Sequence, residues 1–117
     1  MAGPRVLFSR RYRAAMLDYL LGSGETGLAQ AYELGRGALC DGLGPLQILC
    51  AHQQAINVVL ESAETVKETI RRLKAAEEFF IETLASFEMS HRGYVDLVGR
   101  YRGCPPNGTA RGPRRRS

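Results

Sequence analysis

The longest uninterrupted helical signal in the sequence runs from Glu64 to Arg92, a stretch that contains neither glycine nor proline. Within and beyond it, apolar or aromatic residues recur every seven positions, at Val66, Leu73, Phe80, Phe87, Tyr94 and Tyr101. The residues four positions after alternate members are Ile70, Leu84 and Val98. This is the a and d pattern of a helix that packs along one seam, with Glu77 and His91 in the remaining seam positions.

Such a helix has a length that one small domain does not cover. At a rise of ~1.5 Å per residue, it is expected to extend about 55 Å. We therefore expect its first half to pack in a helical bundle and its second half to leave the bundle. Gly93 and Gly99 weaken that second half, because glycine is a poor helix former.

Three shorter periodic segments precede the long helix, and clusters of glycine separate them. The expected helices span residues 8–21, 25–41 and 45–60. Ser9 is a candidate N-cap for the first helix, and residues 1–7 are expected to lead into it. Gly22 and Gly24 end the first helix, while Pro45 opens the third at a position where its missing N–H does no harm.

Two residue types inside these helices predict how they pack. Gly35 and Gly37 lie within the second helix, where each costs roughly 0.5–1 kcal/mol relative to alanine. The expected reason is the close approach of another helix, which leaves no room for a side chain. Cys50 falls at an apolar position of the third helix, together with Leu46 and Leu49, and is expected to fill the core.

The pattern as a whole predicts an all-α fold: a four-helix bundle with a long C-terminal helix and a disordered basic tail. Residues 1–102 are expected to form the helical domain. Residues 103–117 are rich in glycine, proline and arginine and contain almost no apolar residue, so they cannot bury enough surface to fold. No alternation with a period of two is long enough to predict a sheet.

Charge and cysteine usage limit the classes of protein that fit. Residues 1–99 carry ten Lys/Arg and twelve Asp/Glu, whereas residues 100–117 carry six arginines and no acid. The basic pI therefore belongs to the tail and not to a surface of the domain. No run of about 18 apolar residues predicts a membrane span, and the N-terminus is a poor signal peptide. The 3 cysteines form no CxxC pair, which favours a reducing, cytoplasmic location.

No group of residues predicts catalysis or cofactor binding. Cys50 and His52 are two positions apart, so one helix points them in different directions and a metal site is not expected. Cys104 lies in the tail, where nothing fixes a base beside it. A small enzyme therefore has no supporting residues. Nucleic-acid binding through the arginine-rich tail remains an alternative, although the tail lacks interleaved aromatic residues.

Four pieces of the sequence, in order, resemble the N-terminal domain of RsbU-type phosphoserine phosphatases, a helical module similar in shape to a domain of the clock protein KaiA. The pieces are YRAAMLDYL, GSGETGLAQAYELGRGAL, GLGPLQILCAHQQAI and AAEEFFIETLASFEMSHRGY. The resemblance extends from Tyr12 to Tyr94, and the histidine of the third piece is His52. It implies a cytoplasmic, non-catalytic bundle that forms homodimers.

The resemblance also implies partners. In RsbU-type proteins this domain binds a switch kinase and so activates a downstream phosphatase domain, which relieves inhibition of a general-stress sigma factor. The metal-binding aspartates belong to that downstream domain, so phosphatase activity is not expected of this chain.

The candidate sites implied by the resemblance are protein contacts. No catalytic, cofactor-binding or metal-binding residue is expected. The dimer contact is expected at Tyr12, Met16, Tyr19, Phe80, Leu84 and Phe87. The groove for a switch-kinase-like regulator is expected at Tyr32, Gly35, Arg36, His52 and Gln53. His52 is expected to be a half-buried, hydrogen-bonding residue.

Overall fold

The structure, a computed structural model, describes residues 3–98 and contains four α-helices in that range. They are α1 (Pro4–Leu20), α2 (Glu25–Cys40), α3 (Pro45–Ser62) and α4 (Val66–Val98). No strand occurs between residues 3 and 98. The expected all-α architecture with a long C-terminal helix is confirmed, and the connections between helices are three or four residues long.

Proline opens two of the helices, α1 and α3, each after a glycine that serves as the N-cap. Proline is favoured at this position because its fixed φ suits the helix and its missing N–H has no intrahelical partner to lose. The prediction that α1 begins near Phe8 with Ser9 as N-cap is wrong, because Pro4 starts the helix one turn earlier. Val6 and Leu7 in that turn are exposed and therefore add nothing to the buried periodicity.

Glycines with left-handed backbone follow the first two helices. Gly22 has φ 106° after α1, and Gly42 has φ 78° after α2. Since side chains are strained in this region, glycine allows the chain to turn there at little cost. The N–H of Leu43 then donates to the carbonyl of Ala38 over 2.9 Å, which satisfies one of the last carbonyls of α2.

The core lies between all four helices, with α2 packed most extensively against α4 and α3 against α1. Tyr12, Met16 and Phe79 are fully buried at its centre. The rings of Tyr12 and Phe79 meet edge to face with centroids 5.2 Å apart, a favoured arrangement for aromatic pairs. Small residues such as Ala31 and Ala38 of α2 and Ala76 of α4 let the helices approach closely.

The buried face of α3 differs from the expected one. Its buried residues are Ile48, Ala51, Ala55 and Val59. Leu46 and Leu49 are 70% and 38% exposed, and Cys50 is exposed as well, so the prediction that these residues fill the core is wrong. The alanines allow α3 to lie closer to its neighbours than leucines would, and that geometry places the leucines at the surface.

The core face of α4 is also displaced from the heptad seam. Its buried residues are Ala76, Phe79, Thr83, Ser86 and Phe87. Among the seam residues from Val66 to Tyr94, only Phe87 is buried, and Val66, Ile70 and Leu73 are exposed. Burial is confined to the middle of the helix, because no residue from 88 to 95 is buried. The second half of α4 leaves the bundle, as expected, but only beyond Phe87. Burial in the first half, which was expected to pack in the bundle, is limited to Ala76 and Phe79.

Some expectations lie outside the described residues. These are the boundary between residues 102 and 103, the tail with Cys104, and the seam position at Tyr101. Within residues 3–98, no helix combines the length and the apolar composition needed to cross a membrane.

Candidate protein-interaction surfaces

Half of the residues expected at a dimer contact are interior residues of a single chain. Tyr12 and Met16 are fully buried, and Phe87 is 8% exposed. A second chain cannot reach these side chains while the bundle is folded, so the structure corrects their assignment from contact residues to core residues.

The other three expected dimer residues are half-buried but do not share one surface. Phe80 and Leu84 lie together on α4, one turn apart. The hydroxyl of Tyr19 donates to Oε1 of Glu78 over 2.8 Å. Because Glu78 precedes Phe80 by two residues, it lies about 200° away around the helix. This hydrogen bond raises the pKa of Tyr19, with burial a smaller cause.

The residues expected to form one regulator groove are divided between two sides of the molecule. Tyr32 and Arg36 are exposed on α2, while His52 and Gln53 lie on α3. Since α2 and α3 each pack mainly against α1 and α4, the structure does not bring these pairs into a single groove.

Gly35, the fifth residue of that expected groove, is buried at the contact of α2 with α4. A Cβ atom at Gly35 would lie 2.8 Å from the backbone nitrogen of Phe87 and would also collide with the carbonyl of Thr83. The Ser86 hydroxyl donates to the carbonyl of Tyr32 in the same contact. Gly35 is therefore a packing residue rather than a binding residue.

His52 links three helices through a hydrogen bond and a ring contact. Its Nδ1 lies 2.9 Å from the Tyr12 hydroxyl, and its ring stacks on Phe80 with centroids 4.3 Å apart. The histidine is half-buried, as expected. Burial lowers the pKa of His52, and the charge of Glu77 acts in the opposite direction. Burial also raises the pKa of Tyr12 well above its usual range.

A partly exposed apolar surface, interrupted by the exposed Glu77, lies beside His52, and we call it the α3–α4 surface. It consists of Leu49, Ile56 and Leu60 of α3 and Ile70, Leu73, Phe80 and Leu84 of α4. The α3 members follow the helical spacing of His52, whose ring contacts Phe80, so they flank α4 on this side. Leu60 is 42% exposed and Ile70 is 50% exposed. Extended apolar patches of this kind are typical of protein interfaces.

A groove between α1 and α2 was not predicted from the sequence. It has a volume of 1150 Å³, and Phe8, Ala15, Leu34 and Gly37 are among its lining residues. A Cβ atom at Gly37 would meet nothing within 4 Å, so the close approach expected there does not occur within the described chain. Gly37 is the sequence feature that could have indicated the groove. A glycine alone, however, does not show whether the surface of the helix beside it is covered or open.

Between residues 3 and 98, the charged side chains form no metal-binding cluster. No group of three His, Cys, Asp or Glu residues in the described chain converges well enough to hold a metal ion. The ion pairs of Arg36 with Glu33 and of Arg92 with Glu88 join neighbours on the exposed surface of one helix. Such pairs contribute little to stability.

Residues 10–90 match the family model described as phosphoserine phosphatase RsbU, N-terminal domain. The chain belongs to this family. The match begins in the first half of α1 and ends in the second half of α4, and thus includes α2, α3 and most of α1 and α4. No curated protein and no solved structure matches the chain.

Membership in the RsbU N-terminal domain family confirms the resemblance found in the sequence. The matched family is the N-terminal domain and not the catalytic domain of the phosphatase. In an RsbU-type N-terminal domain, uncovered helical faces are the surfaces that are available to other proteins. The two such features in residues 3–98 described above are the α3–α4 surface and the α1–α2 groove.

Proposed function

We propose that this chain is a non-catalytic signalling module of the bacterial cytoplasm, which forms a homodimer and binds a switch-kinase-like regulator. In this role it acts in a pathway that controls a stress-response sigma factor. Membership in the RsbU N-terminal domain family carries this proposal. The large uncovered apolar surface supports it, because a module that acts through protein contacts must present such a surface.

The dimer contact is best supported at the α3–α4 surface. Phe80 and Leu84 are the members of the expected contact set that lie on it. Ile70 and Leu73 extend the same stripe toward the start of α4, with exposures of 50% and 38%. Two copies that pair these stripes would continue the heptad pattern between chains, as in a coiled coil.

Substitutions on this stripe test the dimer. Ile70→Asp and Leu73→Asp place a charge on the exposed stripe without entering the core, so each protomer should fold and the dimer should dissociate. The control is Met89→Asp, because Met89 is 59% exposed on the same helix but lies two residues after Phe87, about 200° from it. Size-exclusion chromatography with light scattering measures the mass. A wild-type monomer at tens of micromolar contradicts the dimer.

The regulator contact is proposed on α2, at Tyr32 and Arg36. Both side chains are exposed there, and a dimer formed through α3 and α4 leaves this face of α2 uncovered. His52 and Gln53 lie beside the proposed dimer contact, so they are the second candidate position. An aromatic and an arginine side chain are both enriched at residues that carry binding energy in interfaces.

A capture experiment distinguishes the two positions. The full chain is used to capture a switch-type kinase from the source cell, identified by mass spectrometry. Tyr32→Asp and Arg36→Glu should reduce recovery of that kinase, whereas Gln53→Glu should not. If Gln53→Glu is the only variant that reduces recovery of the kinase, the regulator contact lies on α3. Failure of the wild-type chain to capture any switch-type kinase would contradict this function.

A further inference from the structure

The positive charge of the folded domain is concentrated in a short part of α1. Residues 5–13 contain four arginines and no acid, whereas residues 14–98 contain six Lys/Arg and twelve Asp/Glu. The basic end of α1 therefore stands out on a domain that is otherwise acidic. Such a separation of charge creates a local positive potential that attracts anions.

Three of these arginines line one cleft between α1 and α3. Arg5, Arg10 and Arg13 border a cleft of 420 Å³, and Arg11 instead lines the α1–α2 groove. Within residues 3–98, Arg5, Arg10 and Arg13 make no ion pair, while Arg36, Arg72 and Arg92 each do. Their guanidinium groups are exposed and free to bind a ligand.

The rest of the cleft supplies neutral hydrogen-bond donors and no carboxylate. Ser9 contributes a hydroxyl, and Gln47 and Gln54 contribute side-chain amides. Oε1 of Gln47 accepts a hydrogen bond from the N–H of Gly44 over 2.7 Å. This bond occupies the acceptor atom and leaves the amide nitrogen of Gln47 available to donate.

The helix that faces α1 across the cleft brings no acid to it. The cleft runs along α1 from Arg5 to Arg13 and along α3 from Gln47 to Gln54. The first charged residue of α3, apart from His52, is Glu61 near its C-terminal end, so α3 offers no acid to neutralise the arginines.

The size and composition of the cleft limit the type of anion. Small-molecule sites usually have volumes of about 300–1,000 Å³, a range that includes this cleft. No aromatic side chain lines it, so a base has no ring on which to stack, and single-stranded nucleic acid is disfavoured. A single carboxylate would neutralise only one arginine. Phosphate groups carry more charge and more acceptor oxygens, and arginine binds them in a bidentate manner.

We propose that the cleft between the N-terminal halves of α1 and α3 binds a small phosphate-bearing anion through Arg5, Arg10 and Arg13. This site is separate from the proposed dimer and regulator contacts, and it does not depend on either. Its ligand is a soluble compound with two or more linked phosphate groups. Binding weakens as salt is added, because the contacts are charge pairs at an exposed site.

The test uses the full chain and inorganic tripolyphosphate as the probe, with affinity measured by calorimetry. The double variant Arg10→Gln/Arg13→Gln should weaken binding about tenfold or more, since it removes two charge-assisted contacts. The control is Arg11→Gln, which removes one charge from the same helix but outside the cleft, and it is compared with Arg10→Gln and Arg13→Gln taken singly. It should change the affinity by no more than about twofold at physiological salt. Equal loss in Arg11→Gln would overturn the proposal.

A second measurement locates the bound anion. In ¹H–¹⁵N NMR spectra, tripolyphosphate should shift the side-chain amide signals of Gln47 and Gln54. Shifts confined to residues 99–117 would assign the binding to the basic C-terminal residues and overturn the proposal. Vesicles that contain phosphatidic acid provide the other arm, because a lipid headgroup offers the same chemistry. Binding to these vesicles without binding to tripolyphosphate would also overturn the assignment to a soluble ligand.

Discussion

Gly35 and Gly37 of α2 show how differently two neighbouring glycines act in one helix. Gly35 lies against the backbone of α4, and a Cβ atom there would collide with Thr83 and Phe87. Gly37 faces the α1–α2 groove, where the same atom would meet nothing within 4 Å. The two residues carry the same cost in helix propensity, but only Gly35 has a packing reason within the described chain.

The two glycines give a matched pair of substitutions. Gly35→Ala should lower the free energy of unfolding by about 1–3 kcal/mol, because the methyl group forces α2 away from α4. Gly37→Ala should raise it by about 0.5–1 kcal/mol, because alanine is the better helix former. Urea unfolding followed by circular dichroism measures both. A destabilised Gly37→Ala variant would indicate that another chain occupies the groove or that the helix is packed differently.

The pair of Tyr12 and His52 predicts how stability depends on pH. Burial lowers the pKa of His52 in the folded state, whereas the unfolded chain has the ordinary value of about 6.5. The unfolded state therefore binds more protons as the pH falls below about 6.5, and the free energy of unfolding decreases until the pH passes the lowered pKa.

Urea unfolding at a series of pH values measures this decrease. His52→Gln retains a hydrogen-bonding group beside the Tyr12 hydroxyl but cannot titrate. The free energy of unfolding of this variant should therefore change less with pH below about 6.5. If the slope is the same in His52→Gln as in the wild type, another group causes it.

At the scale of helices, α4 presents two apolar faces, and only one of them is buried. Ala76, Phe79, Thr83 and Ser86 form the core face. The heptad stripe lies beside it, displaced by one residue, which corresponds to about 100° around the helix. The small side chains of the core face, with Gly35 opposite them, permit the close packing of α2. On the stripe, Phe80 and Leu84 pack partly against the core, whereas Ile70 and Leu73 stay exposed.

Arg72 connects the end of α3 to the beginning of α4. It donates hydrogen bonds to the carbonyl of Val59, to the hydroxyl of Ser62 over 2.9 Å, and to Glu68 over 2.7 Å. The N–H of Glu64 also donates to Glu68, and this bond is the largest cause that lowers the pKa of that carboxyl group. The start of α4 is thus held by polar contacts, because its apolar residues face outward.

Removal of the Arg72 contacts should lower the free energy of unfolding by a modest but measurable amount. Arg72→Ala should lower the free energy of unfolding by about 1 kcal/mol, a value reduced by partial solvent exposure of the ion pair. Arg71→Ala is the control, because Arg71 is the exposed neighbour and has the same effect on helix propensity. Urea unfolding of the two variants compares them, and equal effects would show that the contacts of Arg72 add nothing.

For the molecule as a whole, the dimer proposed at the α3–α4 surface predicts that stability depends on protein concentration. If two copies associate through it, folding and association are linked, and the thermal midpoint rises with protein concentration. Calorimetry over a range of concentrations measures this effect. Ile70→Asp should remove the concentration dependence, while Met89→Asp should retain it. A wild-type midpoint that does not change with concentration would argue against the dimer.

Parts of the fold and of the candidate site were predictable from the sequence. The four helices, the glycine-rich connections and the half-buried His52 agree with the expectations. Tyr12 and Met16 were expected at a dimer contact because aromatic and sulfur-containing residues fit an interface as well as a core. Tyr32 and His52 were expected in one groove but lie on different sides of the molecule. Periodicity describes each helix alone and does not specify which helices are neighbours.

The number of helices, most of their boundaries and the positions of their connections follow from the sequence alone, because these depend on local chemistry. Proline at a helix start and glycine with left-handed backbone at a helix end act within a few residues. Only the tertiary structure decided which face of α3 and α4 is buried and which arginines of α1 share a cleft. Both helices carry more than one apolar face, and the choice depends on how closely small residues on other helices allow them to pack.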